Sequence, residues 1–120
     1  MHFIILSEVS LSRDRIIHDL ITDYLIERLR RDYKEIRKNP DGDPDLILAN
    51  HGIVMAYLEV ETEESITPEK AKKWKELSGQ HKLILMIPKA SRVKVTDLLW
   101  QQGITGGVSV GTYEITINMP

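Results

Sequence analysis

Cysteine is absent from the 120 residues. A disulfide framework and any thiolate metal site are therefore excluded, and a reducing compartment is compatible with that composition. Excess basic charge is absent too: the formal net charge is −2, so nucleic-acid binding would need a local basic patch. No apolar run is long enough to span a membrane. The opening MHFIILSEVSL is broken early by Ser7 and Glu8 and has no basic lead, so neither an anchor nor a signal peptide is expected. Repeats, low-complexity tracts, a serine nucleophile elbow, a phosphate loop and a glycine-rich nucleotide fingerprint are all missing. The expectation is a soluble cytoplasmic protein.

What remains is an ordinary globular composition, 42% hydrophobic and 28% charged, on a chain long enough for one domain, residues 1–120, with a real core. HFIIL is a short strand or the lead-in to a helix. Leu11, Ile16, Ile17, Leu20, Ile21, Tyr24, Leu25 and Leu29 then recur at three- and four-residue steps, predicting an amphipathic helix over roughly residues 11–32. Ser12 is its expected N-cap, and Arg28, Arg30 and Arg31 suit its C-terminal end. YKEIRK, residues 33–38, reads as an edge strand, and KNPDGDP as a turn-forming loop. DLILA and IVMAYLEVET form the arms of a hairpin about Asn50-His51-Gly52, the second arm being the central strand, buried on both faces.

Thr67-Pro68-Glu69 opens a second helix that Gly79 should end. KLILMIP is a buried strand stopped by Pro88, SRVKVTDLLWQQG a third helix, and VSVGTYEITINM one or two strands. The resulting order is α-β-β-β-α-β-α-β, with parallel strands across the helical connections. A mixed β-sheet flanked by helices is predicted.

The acids of the central hairpin carry the functional signal. Strand alternation places Glu59 and Glu61 on one face, about 7 Å apart at Cα, while Leu58 and Val60 face the other way. Hairpin pairing brings Asp45 beside them. Clustered carboxylates repel and resist ionisation unless a cation sits among them, and hard oxygen donors suit Mg²⁺ or Mn²⁺. Such an ion can polarise a phosphodiester and activate water. The plain alternative is that the chain is turning toward solvent, as Glu63 and Glu64 indicate.

Pro44-Asp45, then Glu59-Val60-Glu61 after thirteen intervening residues, resembles the signature of the PD-(D/E)XK nuclease superfamily, the restriction-endonuclease-like fold. The resemblance covers about residues 10–88. It implies an α-β-β-β-α-β core and a metal-dependent hydrolase of nucleic acid with Asp45, Glu59 and Glu61 as metal ligands. Glu61 occupies the place of the family's lysine. Lys70 and Lys73, on the following helix, are the candidates to supply that catalytic lysine instead, and KAKKW resembles the polar-x-x-x-aromatic pattern some members carry there.

His2, His18, His51 and His81 show no metal-ligand spacing, and His51 reads as a turn residue. Trp74 and Trp100 read as packing residues. Arg13, Arg15, Arg28, Arg30 and Arg31, with the lysines of residues 70–75, are the candidate local basic surface for a phosphate backbone. The competing reading is a catalytically inactive interaction or scaffolding module acting as a homodimer or subunit; a small regulatory domain with merely superficial acids ranks below it.

Overall fold

The computed structural model describes residues 6–40 and 42–120. In chain order the elements are α1 Leu6–Leu29, β1 Glu35–Lys38, β2 Leu46–Asn50, β3 Ile53–Val60, α2 Pro68–Gln80, β4 Leu83–Pro88, a 3₁₀ turn Lys89–Ser91, α3 Arg92–Gln101 and β5 Val108–Tyr113. The class is α/β. Five strands lie in the spatial order β1-β2-β3-β4-β5, antiparallel from β1 to β3 and parallel from β3 to β5.

The connections dictate this mixture. Between β2 and β3 the chain reverses through His51 (φ 53°) and Gly52 (φ 78°), a pair of left-handed residues that matches the natural twist of a hairpin. From β3 to β4 and from β4 to β5 it returns through α2 and α3, and a helical crossover makes the strands parallel. The central position of β3 follows from both.

Each face of the sheet has its own apolar layer. Ile21 and Leu25 of α1 pack over Leu46, Leu48, Ala56, Leu58 and Val60. On the other face, Ala71, Trp74 and Leu77 of α2 and Val95 and Leu98 of α3 pack over Leu83, Leu85 and Ile87. Alternation along β3 therefore hands Leu58 and Val60 to α1 and turns Glu59 toward α2.

Several expectations need correction. The first helix starts at Leu6 and ends at Leu29, so Ser12 lies inside it and is not its cap; the expectation for residues 2–5 lies outside the described residues. Its apolar stripe is wider than its buried one. Ile17, Ile21, Leu25 and Leu29 serve the core, but Ile16, Leu20 and Tyr24 are exposed. Gly79 does not end α2, which continues to Gln80 and is closed by the His81 N–H bonding to Leu77 O.

The first half of β3 is not buried on both faces: Ile53 and Met55 are exposed. The pairing steps from Leu48↔Ala56 to Ala49↔Val54, leaving Met55 unpaired with β2, and such a bulge bends a strand away from its cover. Of the one or two strands expected after α3, one forms, as the element order anticipated, and residues 114–120 are irregular. Trp74 is wholly buried as expected, whereas Trp100 is 78% exposed and packs in no core.

Candidate functional site

Residues 43–45 lead into β2 beside the point where β3 ends. The pairing Leu46↔Leu58 sets Asp45 level with Glu59 on the neighbouring strand. Two short bonds fix the pair: the Asp45 N–H donates to Glu59 Oε1 at 2.7 Å, and the Val60 N–H donates to Asp45 Oδ2 at 2.7 Å. Asp43, on the other side of the buried Pro44, joins them. Carboxylate oxygens of Asp43, Asp45 and Glu59 all lie within 4.8 Å of one another.

The start of α2 supplies the counter-charge. Thr67 caps the helix by accepting from the Lys70 N–H at 3.1 Å, and Pro68 occupies its first turn. That cap fixes Lys70 at the sheet edge. Its Nζ stands 3.2 Å from Asp43, 3.2 Å from Glu59 and 3.4 Å from Glu61. One helical turn on, the buried Trp74 Nε1 donates to Glu61 Oε2 at 2.9 Å. Glu61 thus anchors Lys70 and Trp74, and it is not one of the three carboxylates closest together.

From the opposite face of the sheet, His18 of α1 reaches the same cluster. Its Nε2 lies 3.0 Å from Asp45 Oδ1, and its Nδ1 lies 3.2 Å from Asp19 Oδ1. The hydrogen bond to Asp45 raises the His18 pKa above its ordinary 6.5, against the opposing effect of burial.

Burial and crowding shape the other titrations. Glu59, with no exposed surface, is pushed up to about 9 by desolvation first and by the Asp45 charge second, only partly relieved by Lys70. Glu61 is raised to about 7, again by burial, with Lys70 and the Trp74 N–H pulling it down. For Asp43 burial pushes upward, but the hydrogen bond with Glu59 and the Lys70 charge outweigh it and the group ends below its usual value. Lys70 is held more firmly protonated than a free lysine: burial opposes this, and the charges of Glu61, Glu59 and Asp43 overcome it. Without a further cation, Glu59 keeps its proton at neutral pH.

A divalent ion fits this donor set. Fully ionised, Asp43, Asp45, Glu59 and Glu61 carry four negative charges against the Lys70 ammonium and a His18 imidazolium, a deficit of two. Glu59 Oε2 is buried and accepts no hydrogen bond among the described residues; Lys70 Nζ is near enough to pair with it by charge but lies off the hydrogen-bonding direction. Such an orphaned hard oxygen, beside two more carboxylates, is the ligand chemistry of Mg²⁺ or Mn²⁺.

Of the residues singled out in the sequence, the structure brings together Asp45, Glu59, Glu61 and Lys70. Lys73 stays outside: its Nζ pairs with Glu76 at 3.7 Å and it reaches Asp43 only through its charge. Asp43 and His18 were not foreseen. Asp43 sits in a loop whose acids look merely solvated, and His18 lies 27 residues before Asp45 on a helix of the other layer. Of the candidate basic residues, those on α1 and those on α2 belong to helices packed on opposite faces of the sheet. A cleft of about 490 Å³ lined by Arg15, His18, Thr22, Lys38, Asn39 and Asp45 opens onto the cluster. The larger cleft, about 720 Å³, lies past the end of β3 against Thr62, Pro88 and Tyr113 and touches none of the four carboxylates. No helix among the described residues is long and apolar enough to cross a membrane.

No protein-family model, no curated protein and no solved structure matches this chain.

Proposed function

We propose that the chain is a cytoplasmic, metal-dependent nuclease-like protein of restriction-endonuclease-like fold that hydrolyses phosphodiester bonds of nucleic acid. The observation that carries this reading is Lys70: it stands within 3.4 Å of Asp43, Glu59 and Glu61, where the signature of that superfamily calls for an ammonium and this sequence has Glu61 instead. The order α-β-β-β-α-β, with β2 and β3 antiparallel and β3 and β4 parallel, supports it.

Asp43, Asp45 and Glu59 would hold the cation. Bound there, Mg²⁺ or Mn²⁺ supplies Lewis-acid polarisation of a phosphodiester and acidifies water. The chain's own groups do the rest. Lys70 is fixed as a cation, not a base, so it donates to the charge developing on the phosphate. Glu61 and Trp74 orient it, and Glu59 gives up its proton to become a ligand. His18 holds Asp45 in place while Arg15 and Lys38 line the approach.

The test is cleavage of labelled DNA and RNA at millimolar Mg²⁺ or Mn²⁺. Wild-type protein should cut, Glu59→Gln and Asp45→Asn should lose all activity, and Lys70→Met should lose at least about 100-fold, the scale of a transition-state donor. A wild type that binds metal yet cuts neither polymer overturns the hydrolase reading.

A second reading keeps the fold and drops the chemistry. Lys70 already gives three carboxylates a counter-ion, so the network is satisfied enough for an inactive scaffolding module. An absence of any metal binding would favour it.

A further inference from the structure

Helix α1 carries a second apolar face that no core layer among the described residues takes up. Ile16, Leu20 and Tyr24 are 66%, 56% and 64% exposed. At 100° per residue these three lie within about 40° of the line through Leu20, and Arg13 and Glu27, seven residues to either side, fall within about 20° of it. Both are exposed. The stripe therefore reads Arg-Ile-Leu-Tyr-Glu, a basic end, an apolar centre and an acidic end, over about 21 Å of helix at 1.5 Å per residue.

From this pattern we infer that α1 pairs with α1 of a second copy, antiparallel, about a two-fold axis at Leu20. In that register Leu20 meets its own counterpart once, on the axis, while Ile16 meets Tyr24 and Arg13 meets Glu27 twice each by symmetry. Alternatives are disfavoured by charge. A parallel pair sets Arg13 against Arg13 and Glu27 against Glu27. An antiparallel pair shifted to place Leu20 on Tyr24 sets Arg13 against Arg31 and Ile16 against Arg28. Complementarity at both ends thus selects one register.

The metal cluster is not obstructed. His18 is two residues, or about 200°, from both Ile16 and Leu20, so the side of α1 that faces Asp45 points away from the axis. The two clusters would look outward from the pair. A single stripe of this length covers less than the roughly 800 Å² per partner of a standard interface, so the dimer is weak, with a dissociation constant of about 1–100 µM. The inference needs neither metal nor substrate and stands apart from the nuclease reading.

Sedimentation equilibrium without added metal tests it, on the full chain from about 1 to about 300 µM, a range that brackets that constant. Wild type should pass from monomer to dimer. Leu20→Glu, at an exposed position, should leave the circular dichroism unchanged and abolish the dimer. Arg13→Glu and Glu27→Arg should each weaken it about tenfold or more, since each sets like charges opposite one another twice. Combining the two should restore association to within about threefold of wild type. A wild type that stays monomeric throughout overturns the inference, as does a dimer indifferent to Leu20→Glu or a double variant no tighter than the single ones.

Discussion

The backbone N–H of Asp45 donates to Glu59 Oε1 at 2.7 Å, joining the first acid of the hairpin to the second across two strands. One Glu59 oxygen is thereby held by the peptide of its neighbour, and the other is buried with no hydrogen bond among the described residues. Asp43, Asp45 and Lys70 gather round that oxygen pair, and His18, from the helix on the other face of the sheet, reaches Asp45. The expected consequences can each be measured.

Stability should fall as pH rises through neutrality. Glu59 and Glu61 hold protons in the folded chain up to about pH 9 and pH 7, whereas the unfolded chain loses them near 4.5. The folded state therefore binds more protons between those limits, and the slope of unfolding free energy against pH is negative. His18 adds to the same trend: its raised pKa stabilises fully below 6.5 and that contribution is lost as pH climbs through the folded value. Asp43, with a lowered pKa, contributes in full above its ordinary 3.8 and loses that contribution only as pH falls further, so it adds no slope near neutrality. The melting temperature should be higher at about pH 5.5 than at about pH 8.5, and Glu59→Gln should flatten the difference. A wild type more stable at the alkaline end would refute the burial of an uncompensated carboxyl.

Trp74 should report the ionisation of Glu61, because its Nε1 donates to Glu61 Oε2. Trp100, exposed on α3, would obscure the signal, so the measurement belongs in a Trp100→Phe background. Fluorescence should change with a midpoint near 7 and lose that transition in Glu61→Gln. A flat response from pH 5 to 9 would count against the assignment.

Leu58 lies beneath α1, 1% exposed, among Ile21, Leu25 and Leu46. Leu58→Ala should cost about 2–5 kcal/mol in urea denaturation, from lost burial plus the cavity left behind. A loss below about 1 kcal/mol would mean that this side of β3 is not core.

The architecture was legible because local signals and topology agree. Asn50-His51-Gly52 fixed one reversal, Thr67-Pro68 one helix start, and the apolar runs of β3 and β4 flanking a helical pattern fixed a parallel pair. Endings were less legible. Gly79 resembles a stop, yet propensity costs only about 1 kcal/mol and the packing of Leu77 carries the helix past it. The outer stripe of α1 misled in another way: periodicity counts apolar residues but does not say which of two adjacent stripes finds the sheet. Within the candidate site, the acids on the paired strands and the lysine on the following helix were found, whereas Asp43, an acid of a loop that looks merely solvated, and His18, brought by tertiary packing, were not. Asp45, Glu59 and Glu61 belong to one hairpin and Lys70 to the next element, whereas His18 arrives only because α1 lies across the end of β2.

The most direct test of the proposed metal site is isothermal calorimetry with Mn²⁺ at about pH 7.5, where Glu59, raised to about 9, should still be protonated. Wild type should bind at a single site and release a proton as Glu59 ionises, seen as a dependence of the heat on the buffer's ionisation enthalpy. Asp43→Asn should weaken binding, Asp45→Asn and Glu59→Gln should abolish it, and Glu63→Gln, exposed and outside the cluster, should leave it intact. No heat from the wild type at millimolar Mn²⁺, or a binding heat that survives Glu59→Gln unchanged, would contradict the account.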